Sequence, residues 1–167
     1  IGNYAFANFE YIDKTPEEIT EEDPNFTKQW FIGDATVQTV VIPEGVKTIG
    51  YRAFERCHYM SGVVLPSSLR TIEDWAFYNH NGLKSITVPE GVTSIGNYAF
   101  AYCYNLKTVT LPSTLTSVGT SAFADTPWVE TLPTGPVYFG TMLYAYNGDC
   151  PDSYVIEEGT TAIAGGA

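Results

Sequence analysis

Five side chains in this sequence could support thiol or metal chemistry, and all are cysteines or histidines. They are Cys57, His58, His80, Cys103 and Cys150. Thiolate and imidazole groups are the ligands that zinc prefers, and a cysteine beside a histidine can act as an activated nucleophile. The sequence has no Gly-x-Ser-x-Gly elbow, glycine-rich phosphate loop or His-Glu-x-x-His motif. Whether these residues form a site therefore depends on where the fold places them.

A repeat of 23 residues decides that placement. Proline recurs at positions 43, 66, 89 and 112, and an Ala-Phe pair ends at Phe54, Phe77, Phe100 and Phe123. Cut at one phase, four units fill residues 37–128 without a gap. A fixed period of this length is the sequence signature of a solenoid, in which each unit stacks on the next.

Each unit also has its own internal pattern. In the third unit, Ile86 and Val88 alternate with polar neighbours, which predicts one short strand that ends at Pro89. From Ile95 to Cys103 the inward residues recur every four positions, which predicts a 3₁₀ or helical turn. One unit buries too little apolar surface to offset its chain entropy, so we expect the strands to stack into a parallel sheet.

Stacking places Cys57, His80, Cys103 and Thr126 in a single column. Neighbouring rungs of a sheet are about 4.8 Å apart, so the two thiols should stand roughly 10 Å apart, beyond the reach of a disulfide or of one shared zinc ion. We therefore expect buried free thiols, no metal site, no cofactor and no catalytic residue. Cys150 has no clear partner, and the odd number of cysteines argues against a disulfide framework.

The charge of the chain restricts its partners. A formal net charge of −11 would repel nucleic acid and an anionic bilayer. No run approaches the roughly 20 apolar residues of a membrane span, so we expect no direct membrane insertion by this segment. Much of the charge lies in residues 10–23, where the order of residues predicts a short solvated helix, and a calcium loop is disfavoured because its alternating ligands are missing.

The segments outside the four units complete a single solenoid domain. Residues 1–36 predict a partial repeat and an irregular repeat that contains the acidic helix, since IGNYAF at the start is identical to residues 95–100. Residues 129–152 predict an irregular hairpin, in which YFGTMLYAY alternates toward a YNGD turn. Residues 153–167 predict the start of a further, truncated repeat. The phase of both ends leads us to expect a longer parent chain.

The third unit reads LKSITVPEGVTSIGNYAFAYC and fits the pattern LxxIxLPxxVxxIGxxAFxxC. This pattern resembles the BspA-like leucine-rich repeat family of bacterial surface proteins. The resemblance implies a right-handed coil with a parallel β-sheet on its concave face, short 3₁₀ or helical turns on the other side, and irregular hairpin insertions. It also implies a cell-surface or secreted bacterial protein that binds a partner and performs no catalysis.

Two surfaces are candidates for binding. The outward positions of the predicted concave sheet are small, β-branched and almost uncharged, with two lysines at the border. These residues are Thr39, Val41, Gly62, Val64, Ser85, Thr87, Thr108 and Thr110, with Lys84 and Lys107. The alternative surface gathers tyrosine and tryptophan from the Ala-Phe segments, which suit interface anchoring or sugar stacking. These residues are Tyr59, Trp75, Tyr78, Tyr98, Tyr102, Tyr104 and Trp128.

The function that we expect is adhesion through the sheet face, with a host or bacterial surface protein as partner. Two alternatives stay open. The chain could be a structural spacer in a larger surface protein, or it could bind a glycan through the aromatic surface, several of whose rings would otherwise only shield the edges of the stack.

Overall fold

The structure is a computed structural model that describes residues 1–2, 39–58 and 60–165. The acidic helix that the sequence predicts within residues 10–23 lies outside the described residues. Within these residues the chain forms eleven short strands and a 3₁₀ helix at Val129–Thr131. They build a parallel β-solenoid of about five turns, so the predicted fold class is confirmed.

Each repeat contributes two strands, whereas the sequence predicted one. The first strands are β1 Thr39–Val41, β3 Gly62–Val64, β5 Ser85–Thr87 and β7 Thr108–Thr110. The second strands are β2 Thr48–Ile49, β4 Thr71–Ile72, β6 Ser94–Ile95 and β8 Ser117–Val118. Proline ends each first strand because it cannot donate to the ladder. Two residues are too short a run for an alternating pattern to stand out, which is why the second strands escaped the sequence analysis.

Strand pairing follows the repeat. The second strands form one four-stranded parallel sheet in the order β2-β4-β6-β8, and the first strands pair as β1 with β3 and β5 with β7. Each register partner lies one period away, as Thr71 and Ser94 show. The coil therefore rises by one rung per repeat, and its sheets form without any long connection.

The Ala-Phe segments are chains of tight turns, not the 3₁₀ or helical turns that the spacing predicted. In the second unit Trp75 and Asn79 have left-handed backbone conformations, with φ of 61° and 53°. The amide of Phe77 donates to the carbonyl of Ala99 in the next unit at 2.7 Å, while the amide of Tyr78 turns back to Trp75 within its own unit at 3.0 Å. Alternate residues thus bond between and within units.

The left-handed positions recur in all four units. They are Arg52, Arg56, Trp75, Asn79, Tyr98, Tyr102, Ser121 and Asp125. Such a conformation costs a non-glycine residue roughly 1 kcal/mol. It persists because both sets of backbone groups find partners in this arrangement, which a buried helical turn between parallel rungs would not provide.

A column of phenylalanine rings runs through the centre of the core. Phe54, Phe77, Phe100 and Phe123 are fully buried. Successive ring centroids are 5.0, 4.9 and 5.1 Å apart, and the rings are parallel to within 3°. This spacing matches the rise between rungs, so the rings stack because the backbone repeats. The column follows from the 23-residue spacing of the four phenylalanines in the sequence.

The turn after each first strand carries a second, polar contact between units. The carboxylate of Glu44 accepts hydrogen bonds from the Ser67 amide at 2.9 Å, the Ser67 hydroxyl at 3.1 Å and the Ser68 amide at 3.2 Å. Glu90 accepts the same two bonds from Ser113 at 3.0 and 3.1 Å. The Ser67 amide is the main cause that holds the pKa of Glu44 below its usual value. A unit whose turn has the sequence Pro-Glu-Gly is therefore hydrogen-bonded to the next unit, whose turn has Pro-Ser-Ser or Pro-Ser-Thr.

A hairpin interrupts the repeat after the fourth unit. Strand β9 Gly135–Phe139 pairs antiparallel with β10 Met142–Asn147, and β10 pairs parallel with β11 Ala162–Ile163. The hairpin turns at Gly140 and Thr141, since residues 135–139 face residues 142–147, rather than at the YNGD sequence. Gly140 has a φ of 58°, which suits glycine at this tight turn.

Replacing Phe100 with alanine tests the importance of the ring column. Phe100 is fully buried and stacks on rings at both sides, so Phe100→Ala should lower the free energy of unfolding by about 3–5 kcal/mol. Urea unfolding followed by circular dichroism measures the loss. Tyr104→Ala is the matched aromatic control, because Tyr104 is 56% exposed and its loss should cost about 0.5 kcal/mol or less. Equal losses in the two variants would contradict the column as the centre of the core.

Candidate functional site

The first strands present the predicted binding residues to solvent. Val40 and Val63 point inward and join the core, and Ile86 and Val109 do the same in the next two units. Because side chains alternate along a strand, their neighbours point outward. The exposed residues are Thr39, Val41, Val64, Lys84, Ser85, Thr87, Lys107, Thr108 and Thr110, while Gly62 is half-buried. We call this set the first-strand face.

The first-strand face is ordered by register. Val41 lies opposite Val64, and Thr87 lies opposite Thr110. Val41 is 69% exposed and Val64 is 50% exposed, so two branched apolar side chains stand side by side in water. No other pair of the described residues combines exposed valine side chains with direct strand pairing. The face is flat, uncharged at its centre and bordered by Lys84 and Lys107.

A groove lies along the second strands, where the sequence predicted no binding surface. Its volume is about 480 Å³, and it is lined by hydroxyls, an amide and two carboxylates together with Ile72, Ile95, Gly96 and Gly119. The lining residues that carry these groups are Tyr51, Thr71, Glu73, Asp74, Ser94, Asn97 and Ser117. We call it the second-strand groove. The repeated Thr-Ile, Ser-Ile or Ser-Val dipeptide before each Ala-Phe segment was the signal that could have revealed it.

Side chains on one edge of the groove form a ladder. The amide of Asn97 donates to Asp74 Oδ1 at 2.7 Å, and Asn97 Nδ2 donates to Asp74 Oδ2 at 3.2 Å. The amide of Thr120 then donates to Asn97 Oδ1 at 2.8 Å. In the same way, the amide of Tyr51 donates to Glu73 Oε2 at 2.8 Å. Each acceptor is thus held in place by the backbone of a neighbouring rung.

Glycine allows the rungs to approach at this edge. A Cβ atom on Gly96 would lie 2.4 Å from the amide nitrogen of Asp74, and one on Gly119 would lie 2.4 Å from the amide nitrogen of Asn97. Real Cβ atoms cannot come so close to backbone, so any other residue would push the ladder apart. Gly96 and Gly119 are therefore required by the groove edge, not by a turn, whereas Glu73 occupies the equivalent position of the second unit.

The aromatic residues of the Ala-Phe segments form a second ladder on the outside of the coil. Ring centroids of Trp75 and Tyr98 are 4.8 Å apart, those of Trp75 and Tyr78 are 4.4 Å apart, and those of Tyr78 and Tyr102 are 5.3 Å apart. The Arg52 guanidinium lies 5.1 Å from the Trp75 ring. The rings are half-buried against one another, except for exposed Tyr104. Their faces are therefore largely used by their neighbours.

Two residues of the predicted aromatic surface, Trp128 and Tyr59, are not part of this ladder as described. Trp128 is 7% exposed and packs on Phe123 at 4.8 Å, with Phe139 and Tyr144 on other sides. The expectation that Trp128 lies on the aromatic surface is wrong, because the hairpin folds back over it and makes it part of the core. Tyr59 lies outside the described residues.

The cysteine and histidine column is a buried structural ladder. Cys57, His80, Cys103 and Thr126 are all buried. The Cys103 thiol lies 3.1 Å from the Phe77 carbonyl, and the Thr126 hydroxyl donates to the Phe123 carbonyl at 2.8 Å. Burial raises the pKa of Cys103 to about 12, so this thiol is not a nucleophile at neutral pH. Among the described residues, no three His, Cys, Asp or Glu side chains converge to hold a metal ion.

His80 has an unusual position within this column. It is fully buried, and neither ring nitrogen has a hydrogen-bond partner among the described residues. Burial lowers the pKa of His80 to about 4, because the charged imidazolium would lose its hydration. The imidazole is therefore neutral in the folded protein at physiological pH.

Fold and surfaces together define a class of protein: a parallel repeat solenoid whose side chains stack in ladders and whose exposed faces are broad. The chain belongs to the BspA type leucine-rich repeat family, whose model matches residues 25–146 in six copies. A solved structure with a similar chain is a leucine rich cell surface protein from Faecalibacterium prausnitzii, with 24% sequence identity and a TM-score of 0.49. The alignment covers 98% of this chain and 38% of that protein.

Two further comparisons complete the description. None of the curated proteins compared with the chain matches it. In the part of the chain that the structure describes, no helix has both the length and the apolar character needed to cross a membrane.

His80 should make the stability of the protein depend on pH. Its pKa is about 4 in the folded chain, against 6.5 for an unperturbed histidine, so between these pH values the unfolded chain binds one proton more than the folded chain. The contribution of neutral His80 to the free energy of unfolding is therefore fully present above pH 6.5. It falls by about 3 kcal/mol as the pH drops toward 4.

The His80→Cys variant isolates this effect, because cysteine occupies the same column at positions 57 and 103. Urea unfolding of both proteins at pH 7 and pH 4.5 gives the comparison. The difference in unfolding free energy between the two pH values should be smaller by about 2–3 kcal/mol in His80→Cys. The same pH dependence in both proteins would show that His80 is not responsible.

Proposed function

We propose that this chain is a protein-binding module of a bacterial cell-surface protein, and that the first-strand face contacts the partner. One observation carries the proposal: Val41 and Val64 are directly paired and largely exposed. Exposed apolar side chains that are fixed side by side on strands lose little conformational entropy when they are covered. They are suited to the apolar centre of a protein interface, which excludes water from the surrounding polar contacts.

The remainder of the face supports this role. The rung that pairs Thr87 with Thr110 extends the uncharged strip, and β-branched threonine presents both a methyl and a hydroxyl group. Lys84 and Lys107 border the strip on a chain with a net charge of −11. They would help to orient a partner with acidic groups at its rim, since rim charges mainly steer association.

The aromatic ladder is a weaker candidate for the primary contact. A sugar ring stacks on a free aromatic face, but Trp75 already contacts Tyr78, Tyr98 and Arg52. A sugar would have to displace those contacts, and their loss would offset part of the binding free energy that stacking on the sugar provides. The ladder therefore suits the role of a shield over the turn segments, with exposed Tyr104 at its margin.

A catalytic role lacks a reactive group in the surfaces described above. His80 and Cys103 are buried. The pKa of His80 is lowered to about 4 and that of Cys103 is raised to about 12, so neither group is an active base or nucleophile at neutral pH. Location at the cell surface follows from the family resemblance, which implies an exported protein. Adhesion to a host or bacterial surface protein is the activity that this combination supports.

Charge placed in the centre of the first-strand face should weaken binding. The Val64→Glu/Thr87→Glu variant changes two outward side chains on neighbouring units and leaves the core untouched. Beads coated with the intact protein are allowed to settle on an epithelial cell layer, and the retained fraction is counted under flow. We expect a loss of about tenfold, since two charges would be buried without partners.

The matched variant is Tyr102→Ser/Tyr104→Ser, which alters the aromatic ladder instead. It should retain the adhesion of the parent chain, and thermal unfolding should verify that both variants fold. If only the tyrosine variant loses adhesion, the aromatic surface binds, and a glycan array then tests for sugar. If neither variant loses adhesion, the chain acts as a spacer and the proposal fails.

A further inference from the structure

The second-strand groove offers groups that bind a hydrogen-bonding ligand. Hydroxyls of Thr71, Ser94 and Ser117 follow one another on successive strands of the four-stranded sheet. The Ser94 and Thr71 hydroxyls are 3.5 Å apart, so they interact weakly and keep bonding capacity for a ligand. Because the hydroxyls lie in a line across successive rungs, they suit an extended chain better than a compact molecule.

Two carboxylates give the groove its charge. Glu73 and Asp74 line it at one rung, and each is held by the backbone amide of a neighbouring unit, Tyr51 or Asn97. Amide donors position these carboxylates but do not neutralise them. Among the described residues, neither carboxylate has a cationic side chain within ion-pair distance, and no lysine or arginine lines the groove.

Arg52 and Arg70 each contact groups other than these two carboxylates. Arg52 pairs with Glu55 at 3.6 Å, and its guanidinium lies 5.1 Å from the Trp75 ring. Arg70 donates to the carbonyls of Ser67 and Leu69 at 3.1 and 2.7 Å. The negative charge of the groove therefore remains available for an external cation.

We propose that the second-strand groove binds an extended polypeptide segment that carries lysine or arginine. The backbone of the segment would exchange hydrogen bonds with the hydroxyl row and with Asn97. A basic side chain would pair with Glu73 and Asp74. The charge complementarity favours a basic peptide over a neutral glycan, and it disfavours nucleic acid.

This site shares no residue with the first-strand face, so the two proposals can fail separately. The groove lies on the other strand of each unit, and its chemistry is polar and acidic where the first-strand face is apolar and bordered by lysine. A partner protein could engage either surface alone.

The first test uses the intact chain and three fluorescein-labelled ten-residue peptides of alternating sequence, Lys-Ser, Asn-Ser and Glu-Ser. Fluorescence anisotropy in 50 mM salt measures each Kd. The Lys-Ser peptide should bind at least about tenfold more tightly than the Asn-Ser peptide, and its Kd should rise with salt. Equal binding of the Lys-Ser and Asn-Ser peptides would overturn the proposal.

Variants locate the site and exclude general attraction to an acidic protein. Glu73→Gln/Asp74→Asn removes both charges and keeps oxygen acceptors for the Tyr51 and Asn97 amides. It should weaken the Lys-Ser peptide by about fivefold or more, the effect of losing two partly exposed ion pairs. Glu130→Gln/Asp152→Asn removes the same charge at exposed positions of the hairpin segment and should change Kd less than about twofold. Equal losses in the two variants would overturn the groove as the site.

NMR distinguishes this proposal from the one for the first-strand face. On titration with the Lys-Ser peptide, the amide signals of Thr71, Ser94, Asn97 and Ser117 should shift, while those of Thr87 and Thr110 should stay in place. Shifts confined to Thr87 and Thr110 would contradict the groove and leave the first-strand face as the binding surface.

Discussion

The structure depends on one constraint: equivalent residues of successive units lie directly over each other at the spacing of a β-rung. The phenylalanine column shows it most clearly, with centroids 4.9 to 5.1 Å apart. Every column must therefore hold side chains that tolerate a neighbour of the same kind at that distance. Rings, branched apolar groups and hydroxyls do so readily, whereas like charges, such as those of exposed Lys84 and Lys107, repel each other there. Glu44 and Asp74 each accept a hydrogen bond from an uncharged residue at the same position of the next unit: Ser67 follows Glu44, and Asn97 follows Asp74.

The same constraint separates binding from catalysis. A reactive centre needs different groups that converge on one point, whereas stacking spreads similar groups along a line. Cys57, His80 and Cys103 share a column in which each unit fills its own rung, and Thr126 fills the fourth with a hydroxyl that bonds to a carbonyl of its own unit. Lines of similar groups suit contacts that repeat, such as those of a flat interface or an extended chain. The two surfaces described above differ because the first strands present valine and threonine, and the second strands present hydroxyls beside fixed carboxylates.

The period, the inward residues and the ring column could be read from the sequence because they repeat in all four units. The second strands could not, since Thr71–Ile72 or Ser94–Ile95 is too short to show alternation and becomes a strand only through its neighbours in the stack. The left-handed backbone of Arg52, Trp75 and Tyr98 was also hidden, because these residue types rarely adopt it and the reason lies in hydrogen bonds between units. Trp128 was misplaced because its burial depends on a hairpin that follows it in sequence but has no counterpart in the repeat. Of the binding surfaces, the residues of the first-strand face were identified, but the groove depended on strands that the pattern did not show.

The hairpin that interrupts the repeat after the fourth unit keeps the stacking of one rung on the next. In the regular units the amides of Arg70 and Glu73 donate to the carbonyls of Lys47 and Ile49. In the last turn the amides of Thr161 and Ala164 donate to the carbonyls of Thr141 and Leu143. Strand β10 of the hairpin thus stands where a second strand of a repeat would stand, and β11 pairs with it as with a preceding unit. The amide of Gly165 then returns to the carbonyl of Val118 in the fourth unit. Because a hairpin strand can supply the hydrogen bonds of a rung, an irregular insertion extends the solenoid, and the aromatic residues that it adds close the core over Phe123 and Trp128.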